Sequence, residues 1–282
     1  MNILLLEPYY GGSHRSWSDG YKKYSNHDIT ILSLPGRFWK WRMHGGAVTL
    51  AKEFNKIEKS FDLILASDML DLTTFLSLTR KKSFHIPAVI YFHENQLSYP
   101  WSPDDRDIIE KRDKHYGFIN YSSALTADHC FFNSDYHRSS FLSELPKLLK
   151  HFPDYNELAS IQQIESRSSV LHLGLDLKRF NSYRSEQKGI PIILWNHRWE
   201  YDKNPTGFFK LLKWLIKNNI DFKVVILGEK FSEFPSEFTK NIKILGDRIL
   251  HIGYVDTFEE YASWLWKSDI LPVTNIQDFF GA

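Results

Sequence analysis

A chain of 282 residues, 43% hydrophobic and 16% aromatic, carries enough apolar side chain to bury two cores and is not a disordered chain. Thirty-five basic against thirty-four acidic side chains leave a formal charge of +1. No global field therefore draws in nucleic acid or an acidic membrane, and any such binding has to come from a local patch. A single cysteine, Cys130, excludes an internal disulfide and fits a reducing compartment.

The apolar run over residues 3–6 is cut by Glu7 and Pro8 and lacks a basic leader, so it reads as a first buried strand and not as a signal peptide. No window approaches the ~20 apolar residues of a membrane helix, and a soluble cytoplasmic protein without membrane partners is expected. In the loop over residues 7–14, Gly11 and Gly12 let backbone approach a ligand closely, and Ser13 is placed to cap the next helix. A plain turn is the alternative. Residues 29–34 form a second strand ended by Pro35 and Gly36.

The next segment alternates cations with large aromatics: Arg37, Trp39, Lys40, Trp41 and Arg42. Aromatic and guanidinium groups stack on bases and cations meet phosphates, a composition that suits RNA. The alternative is a surface β segment or loop that buries one tryptophan. Helical spacing over 47–57, a strand over 61–66 and a helix over 70–78 follow. Pro87 then introduces a strand over 88–92 that delivers His93, Glu94, Asn95 and Gln96 to a strand end. A histidine beside a glutamate there is a base, a sugar ligand or a satisfied structural group; with no second His or Cys at ligand spacing nearby, no metal is expected. Residues 104–115 are dense in both signs and read as a solvated face. Residues 128–132 form a strand leading to Asn133 and Ser134, and 170–173 the last strand of this half. Strands alternating with helices predict a parallel sheet covered on both faces.

The polar run over 181–189 is the expected linker between a first domain, 1–180, and a second, 190–282. The second domain opens on a buried strand over 192–195 and passes into a loop carrying His197, Arg198, Glu200 and Lys203. Asn204 and Pro205 then mark a helix start, and Phe208, Leu211, Leu212, Leu215 and Ile216 give that helix an apolar face. Two cations at a strand's carboxyl end beside a helix N-terminus are where α/β sheets bind phosphates; an ion-paired surface loop is the alternative. Further strands are expected over 222–227, ending at Gly228, and over 249–253. Thr257 and Glu260 form a capping box ahead of a helix to Lys267. A strand over 269–273 leads to Asp278, Phe279, Phe280, Gly281 and Ala282. An uncovered parallel edge there gives the expectation that the second domain is incomplete as written.

Arg198 and Lys203 are spaced as in the R-x4-K element of retaining, GT4-like glycosyltransferases of the GT-B fold. Leu173, Gly174, Leu175 and Asp176, with Phe180, resemble the signature that closes the first domain in that group. Asp278, Phe280 and Gly281 resemble the opening of its E-x7-E motif, with Asp in place of Glu and the second Glu falling beyond Ala282. More narrowly, EPYYGGSH, RFWKWR, YFHENQLSYP, YGFINYSSALTADHCFFNS, HRWEYDKNP and DFFG occur in the order found in the glycosyltransferases that mannosylate queuosine in tRNA.

The resemblance implies an α/β protein of GT-B fold, two Rossmann-like domains with mainly parallel sheets. It implies a GDP-mannose donor in the cleft between them, its diphosphate held by Arg198 and Lys203 and approached by Gly11 and Gly12. Gly228, Asp278, Phe280 and Gly281 fall on the donor side. His93 then faces the sugar, with Glu94 orienting it or the acceptor, and Arg37, Trp39, Lys40, Trp41 and Arg42 become candidates for contacts to a tRNA anticodon loop. Retention of configuration is implied, with no cofactor and no metal. Two other readings are a GT4-like enzyme acting on a lipid or polysaccharide, and a non-catalytic module that binds sugar nucleotide or RNA.

Overall fold

The computed structural model describes residues 1–102, 105–110, 114–185, 189–228, 236–275 and 277–279, with backbone alone at 201, 236 and 237. The chain forms two units, one of residues 1–174 joined by Phe279, the other of 175–278.

In the first unit, β1 (Asn2–Tyr10), β2 (Asp28–Pro35), β3 (Leu63–Ser67), β4 (Ala88–Phe92), β5 (His129–Phe132) and β6 (Ser168–Val170) make a six-stranded sheet in the order β2-β1-β3-β4-β5-β6. Every pairing is parallel. The connecting helices are α1 (Gly12–Tyr24), α2 (Trp39–Lys56), α3 (Leu72–Ser83), α4 (Arg106–Ile109), α5 (Lys114–Thr126), α6 (Asp135–Leu149) and α7 (Ser160–Ser166). The central strands are near-continuous apolar runs because both faces of the sheet are covered. Side chains alternate between those faces. Leu4, Leu6, Ile64, Ala66, Ile90, Phe92 and Phe132 pack under α2, α3, α5 and α6 in the main core. Ile3, Leu5, Leu65, Val89 and Tyr91 point the other way, onto Trp17 and Tyr21 of α1. Cys130 lies buried in the main core, its thiol donating to the Ala124 carbonyl.

The second unit begins with a 3-10 helix over Leu177–Tyr183 and continues through β7 (Ile192–Asn196), α8 (Pro205–Lys217), β8 (Lys223–Leu227), α9 (Ser236–Leu245), β9 (Ile249–Gly253) and α10 (Phe258–Lys267). Its three strands are parallel in the order β7-β8-β9. Ile193, Trp195, Val224 and Ile226 meet Phe208, Phe209 and Leu212 of α8 and Phe238 of α9. Ile192, Leu194, Val225 and Leu227 face Tyr261, Trp264 and Leu265 of α10. The indole N–H of Trp266 donates to the Phe180 carbonyl at 2.7 Å, which ties the 3-10 segment to α10 within this unit. Part of the polar run expected as a linker is thus ordered helix.

Other local expectations differ from the structure, the first being the strand expected over 170–173, which is β6 at Ser168–Val170. The segment over 37–42 is neither a β segment nor all loop: Phe38 takes a left-handed conformation (φ 57°) and α2 starts at Trp39, because Trp39, Met43, Ala47 and Leu50 continue one helical stripe. Ser13 does not cap α1; Gly11 occupies that position and provides no side-chain cap. The strand expected over 269–273 is reduced to a single bridge between Ile193 and Ile270, since Pro272 has no amide to extend the ladder. Among the described residues, no helix is long and apolar enough to cross a membrane.

Phe208 is fully buried whereas Leu211, on the same helix, is 38% exposed. Phe208→Ala is expected to cost about 3–5 kcal/mol in urea unfolding, and Leu211→Ala under about 1 kcal/mol; equal costs would show that α8 does not present the face described.

Candidate active site

The two-residue period of the sheet places the polar groups. Beyond Ile3 and Leu5 the next position on the α1-covered face is Glu7, and beyond Val89 and Tyr91 it is His93. On α1 the stripe that carries Trp17 and Tyr21 includes His14 one turn earlier. All three polar side chains arrive buried, at 0%, 8% and 1% exposure for Glu7, His14 and His93. Glu7 Oε2 lies 3.1 Å from His14 Nδ1, while Glu7 Oε1 accepts the Tyr9 amide at 2.9 Å. The His93 ring meets the edges or faces of His14 and Trp17 at 4.5 Å and of Tyr91 at 4.9 Å between centroids. One donor atom from each of Glu7, His14 and His93 lies within 4.8 Å of the others.

Main-chain groups at this strand end are held by side chains from neighbouring strand ends. Asp68 Oδ1, after β3, accepts the His93 N–H at 2.8 Å, and Asn133, after β5, donates to the His93 carbonyl at 2.9 Å. Asn133 in turn pairs with His137 Nδ1 at 3.0 Å, and Ser134 caps α6 by accepting the His137 amide. Asn120 of α5 accepts the Gln96 amide and donates to the Asp68 carbonyl. Glu94 accepts from the Gln96 side chain at 3.0 Å.

Burial sets the charge states, with neighbours as modifiers. Desolvation alone lowers His14, but the Glu7 carboxylate overrides it by charge and hydrogen bond and carries the imidazole up to about 9. Burial drives the Asp68 carboxyl well above its ordinary range despite the pull of His14. It drives His93 well below the ordinary histidine value, with His14 and His137 adding to the effect. His137 is pushed down to about 3 by burial.

The two glycines of the first loop differ. A Cβ on Gly36 would stand 2.8 Å from the Gly11 Cα, so this pair is needed for two backbones to pass, whereas Gly12 (φ 51°) begins α1 with open space beside it. The aromatic-basic segment divides as well. Trp39 packs against Trp101 and Tyr116, and Lys40 Nζ is paired with Asp105 at 2.6 Å and Asp107 at 2.5 Å. Arg42 Nε donates to the Pro35 carbonyl, and Arg37 lies over the Phe38 ring. Trp41 is 64% exposed.

In the second unit, the loop after β7 is set by Asp202, a buried carboxylate shared by both expected cations: Arg198 Nη2 at 3.7 Å and Lys203 Nζ at 3.2 Å. Arg198 also pairs with Glu200 at 2.8 Å and Lys203 with Asp278 at 3.6 Å. Arg198, Lys203 and Asp278 are therefore brought together. The Trp195 indole donates to Thr274, whose hydroxyl donates to the Lys203 carbonyl at 2.7 Å, fixing the loop from behind. Asn204, left-handed at φ 51°, caps α8 by accepting the Gly207 amide at 3.0 Å, with Pro205 at the first helical position. Gly228 (φ 141°) has a structural reason of its own: a Cβ there would collide with the His197 carbonyl oxygen and the Trp199 indole, displacing the segment that carries Arg198. Phe280 and Gly281 lie outside the described residues. The hollow lined by Tyr183, Arg184, Glu259, Glu260, Trp264 and Lys267, about 570 Å³, contains none of these strand-end groups.

Glu7, His14, Asp68, Asn120, His137 and Asp202 are members of these clusters that motif spacing missed. Strand parity was the available signal for Glu7, and helical spacing from Trp17 for His14.

A family model described as tRNA-queuosine alpha-mannosyltransferase N-terminal matches residues 2–175, nearly the span of the first unit. A tRNA-queuosine alpha-mannosyltransferase of Drosophila melanogaster is 34% identical over 290 residues, covering 99% of this chain and 75% of its own. The chain belongs to the tRNA-queuosine alpha-mannosyltransferase family. Solved structures show that this family member has the GT-B fold. A UDP-forming trehalose-phosphate synthase from Burkholderia xenovorans aligns with TM-score 0.62 at 13% identity, over 98% of this chain and 78% of that one. Anabaena HepE in complex with UDP-glucose aligns with TM-score 0.60 at 16% identity, over 99% and 75%. The two parallel α/β units expected from the sequence are those of this fold, and the protein's class is glycosyltransferase.

The low value at His137 has a consequence in this family member. The unfolded chain takes up a proton at this ring below about pH 6.5, while the folded one holds it neutral down to about 3. Stability is therefore lost as pH falls through that window, by up to about 1.4 kcal/mol per pH unit. Urea unfolding at a series of pH values should give a shallower acid-side decline for His137→Gln than for the parent chain; parallel declines would refute the assignment.

Proposed function

We propose that this protein transfers mannose from GDP-mannose to queuosine in tRNA, with retention at the anomeric carbon. The observation that carries the reading is the match to the queuosine-mannosyltransferase family over the whole first unit, together with an R-x4-K pair converging on one carboxylate. In this reading the donor diphosphate takes the two cations of the β7–α8 loop. Negative charge accumulates on the leaving diphosphate as the glycosidic bond breaks, and preorganised cations stabilise that charge more than they stabilise the ground state. Asp202 keeps both side chains in place, so little ordering remains to be done when the anion arrives. The N-terminus of α8 adds a partial positive charge on the same side. No ion is needed to neutralise the diphosphate.

Asp278, beside Lys203, is assigned to donor hydroxyls, and Phe280 and Gly281 to the same subsite by the family motif. His93 and Glu94 are assigned to the sugar and its acceptor, with Gly11 and Gly12 supplying backbone. A buried histidine that stays neutral, as burial dictates here, has an N–H to offer a sugar hydroxyl. The segment from Arg37 to Arg42 is assigned to the anticodon loop. Stacking on an unpaired base falls to the exposed Trp41, and Trp39 and Lys40 support it from within their packing and ion-pair network. A cytoplasmic setting follows from this choice of substrates.

The test is nucleoside mass spectrometry after incubating the protein with GDP-mannose and tRNA that contains or lacks queuosine. Mannose should appear on the queuosine-containing tRNA alone; transfer to a lipid or polysaccharide acceptor in its place would overturn the acceptor. Arg198→Ala and Lys203→Ala should each reduce turnover by roughly 10²-fold or more, and unchanged rates would remove them from the diphosphate. Trp41→Ala should weaken tRNA binding by about 1–3 kcal/mol while leaving hydrolysis of the donor unaltered. An equal loss in both assays would make it a folding residue.

A further inference from the structure

Two buried carboxylates and two imidazoles meet at the carboxyl end of the first sheet. Glu7 and Asp68 are 0% and 1% exposed, and the chain spends both in a place where an uncompensated charge is costly. Glu7 Oε2 stands 3.1 Å from His14 Nδ1. That is close to the separation, about 3.3 Å, of two donors each ~2.0 Å from one ion in a tetrahedral shell. A donor nitrogen of His93 completes a set of three atoms within 4.8 Å of one another, all on buried side chains. Among the described residues this is the group of three or more His, Cys, Asp or Glu side chains with that spacing.

The surroundings are those of a ligand set held from outside. The second oxygen of Glu7 is oriented by the Tyr9 amide at 2.9 Å. Asp68 Oδ1 holds the His93 backbone, while Asp68 Oδ2 is buried and has no hydrogen-bond partner. An unpartnered carboxylate oxygen in an interior is a cost unless a cation stands near it.

We infer that Glu7, His14 and His93 form a binding site for one divalent cation of the zinc class, with Asp68 as a neighbouring carboxylate that balances its charge. Two imidazoles and a carboxylate are the donor types that suit such ions, and three protein ligands leave a coordination position for a water or a hydroxyl. Binding replaces the proton shared between Glu7 and His14 with the ion, so His14 Nδ1 becomes a ligand through its lone pair and the proton goes to solvent. The ion joins the ends of β1 and β4 and the first turn of α1. It is distinct from the diphosphate cations of the second unit, and the inference does not depend on the identity of donor or acceptor.

The chain, purified without a histidine tag and stripped with chelator, is titrated with zinc by calorimetry and with cobalt(II) by visible absorption. One ion per chain is expected, with cobalt d–d bands appearing on binding. His14→Gln and His93→Gln should weaken binding by more than the roughly 10–100-fold that loss of an outer-shell partner costs, in variants that retain the parent circular dichroism. Absence of saturable zinc binding and of a cobalt spectrum in the unaltered chain overturns the site whatever the variants do. Undiminished affinity in both histidine variants also overturns it, since the ion would then sit elsewhere. Neither readout uses sugar nucleotide or tRNA, so a failed transfer assay leaves the cation site standing, and a missing cation leaves the transferase reading standing.

Discussion

Coverage of both sheet faces is the constraint on which the rest of this structure depends. With α1 on one side of the first sheet and α2, α3, α5 and α6 on the other, polar side chains cannot sit along β1, β3 or β4 without being desolvated. They collect at the carboxyl ends, where each strand releases its chain into a loop. There the main-chain groups of one loop are satisfied by side chains of the next: Asp68 takes the His93 amide and Asn133 its carbonyl. His93 is thereby fixed from the strand ends on either side of its own, and its ring is enclosed by His14, Trp17 and Tyr91.

The second unit solves a different problem with the same geometry. Here the loop after β7 must keep two cations close together, which mutual repulsion opposes. A single buried carboxylate, Asp202, lies within 4 Å of both. The hydrogen-bond relay from Trp195 through Thr274 to the Lys203 carbonyl, and the absence of a Cβ at Gly228, fix the backbone on which they stand. Three carboxylates near two cations also mean that any incoming anion competes for charges already paired. That competition favours an anion carrying more than one charge and presented at short range.

The aromatic-basic segment shows why composition alone misjudges a surface. Arg37, Trp39, Lys40, Trp41 and Arg42 look equivalent as a string, yet the helical turn that begins at Trp39 sends Trp39 and Met43 inward and leaves Trp41 in solvent. Lys40, reached by Asp105 and Asp107 from 65 and 67 positions away, is committed to an ion-pair network. Gly11, which reads as a ligand-approach glycine in the string, has in the fold a packing reason to lack a side chain, since its Cα lies against the backbone of Gly36.

Local chemistry by itself determined a good part of this protein. Proline before an apolar run marked β4, Asn204 with Pro205 marked the start of α8, and Thr257 with Glu260 marked α10, because caps and prolines act on groups only a few bonds away. The pairing of Arg198 and Lys203 was legible for the same reason, being set by one loop and one helix end. Only the tertiary structure decided that Glu7, His14 and His93 share a site, that Asp68 and Asn133 clamp the last of them, and that Pro272 reduces a strand to a bridge. Those outcomes depend on which strands lie side by side and on what covers each face. Sheet order is settled by burial summed over the whole unit, and spacing along the chain does not carry it.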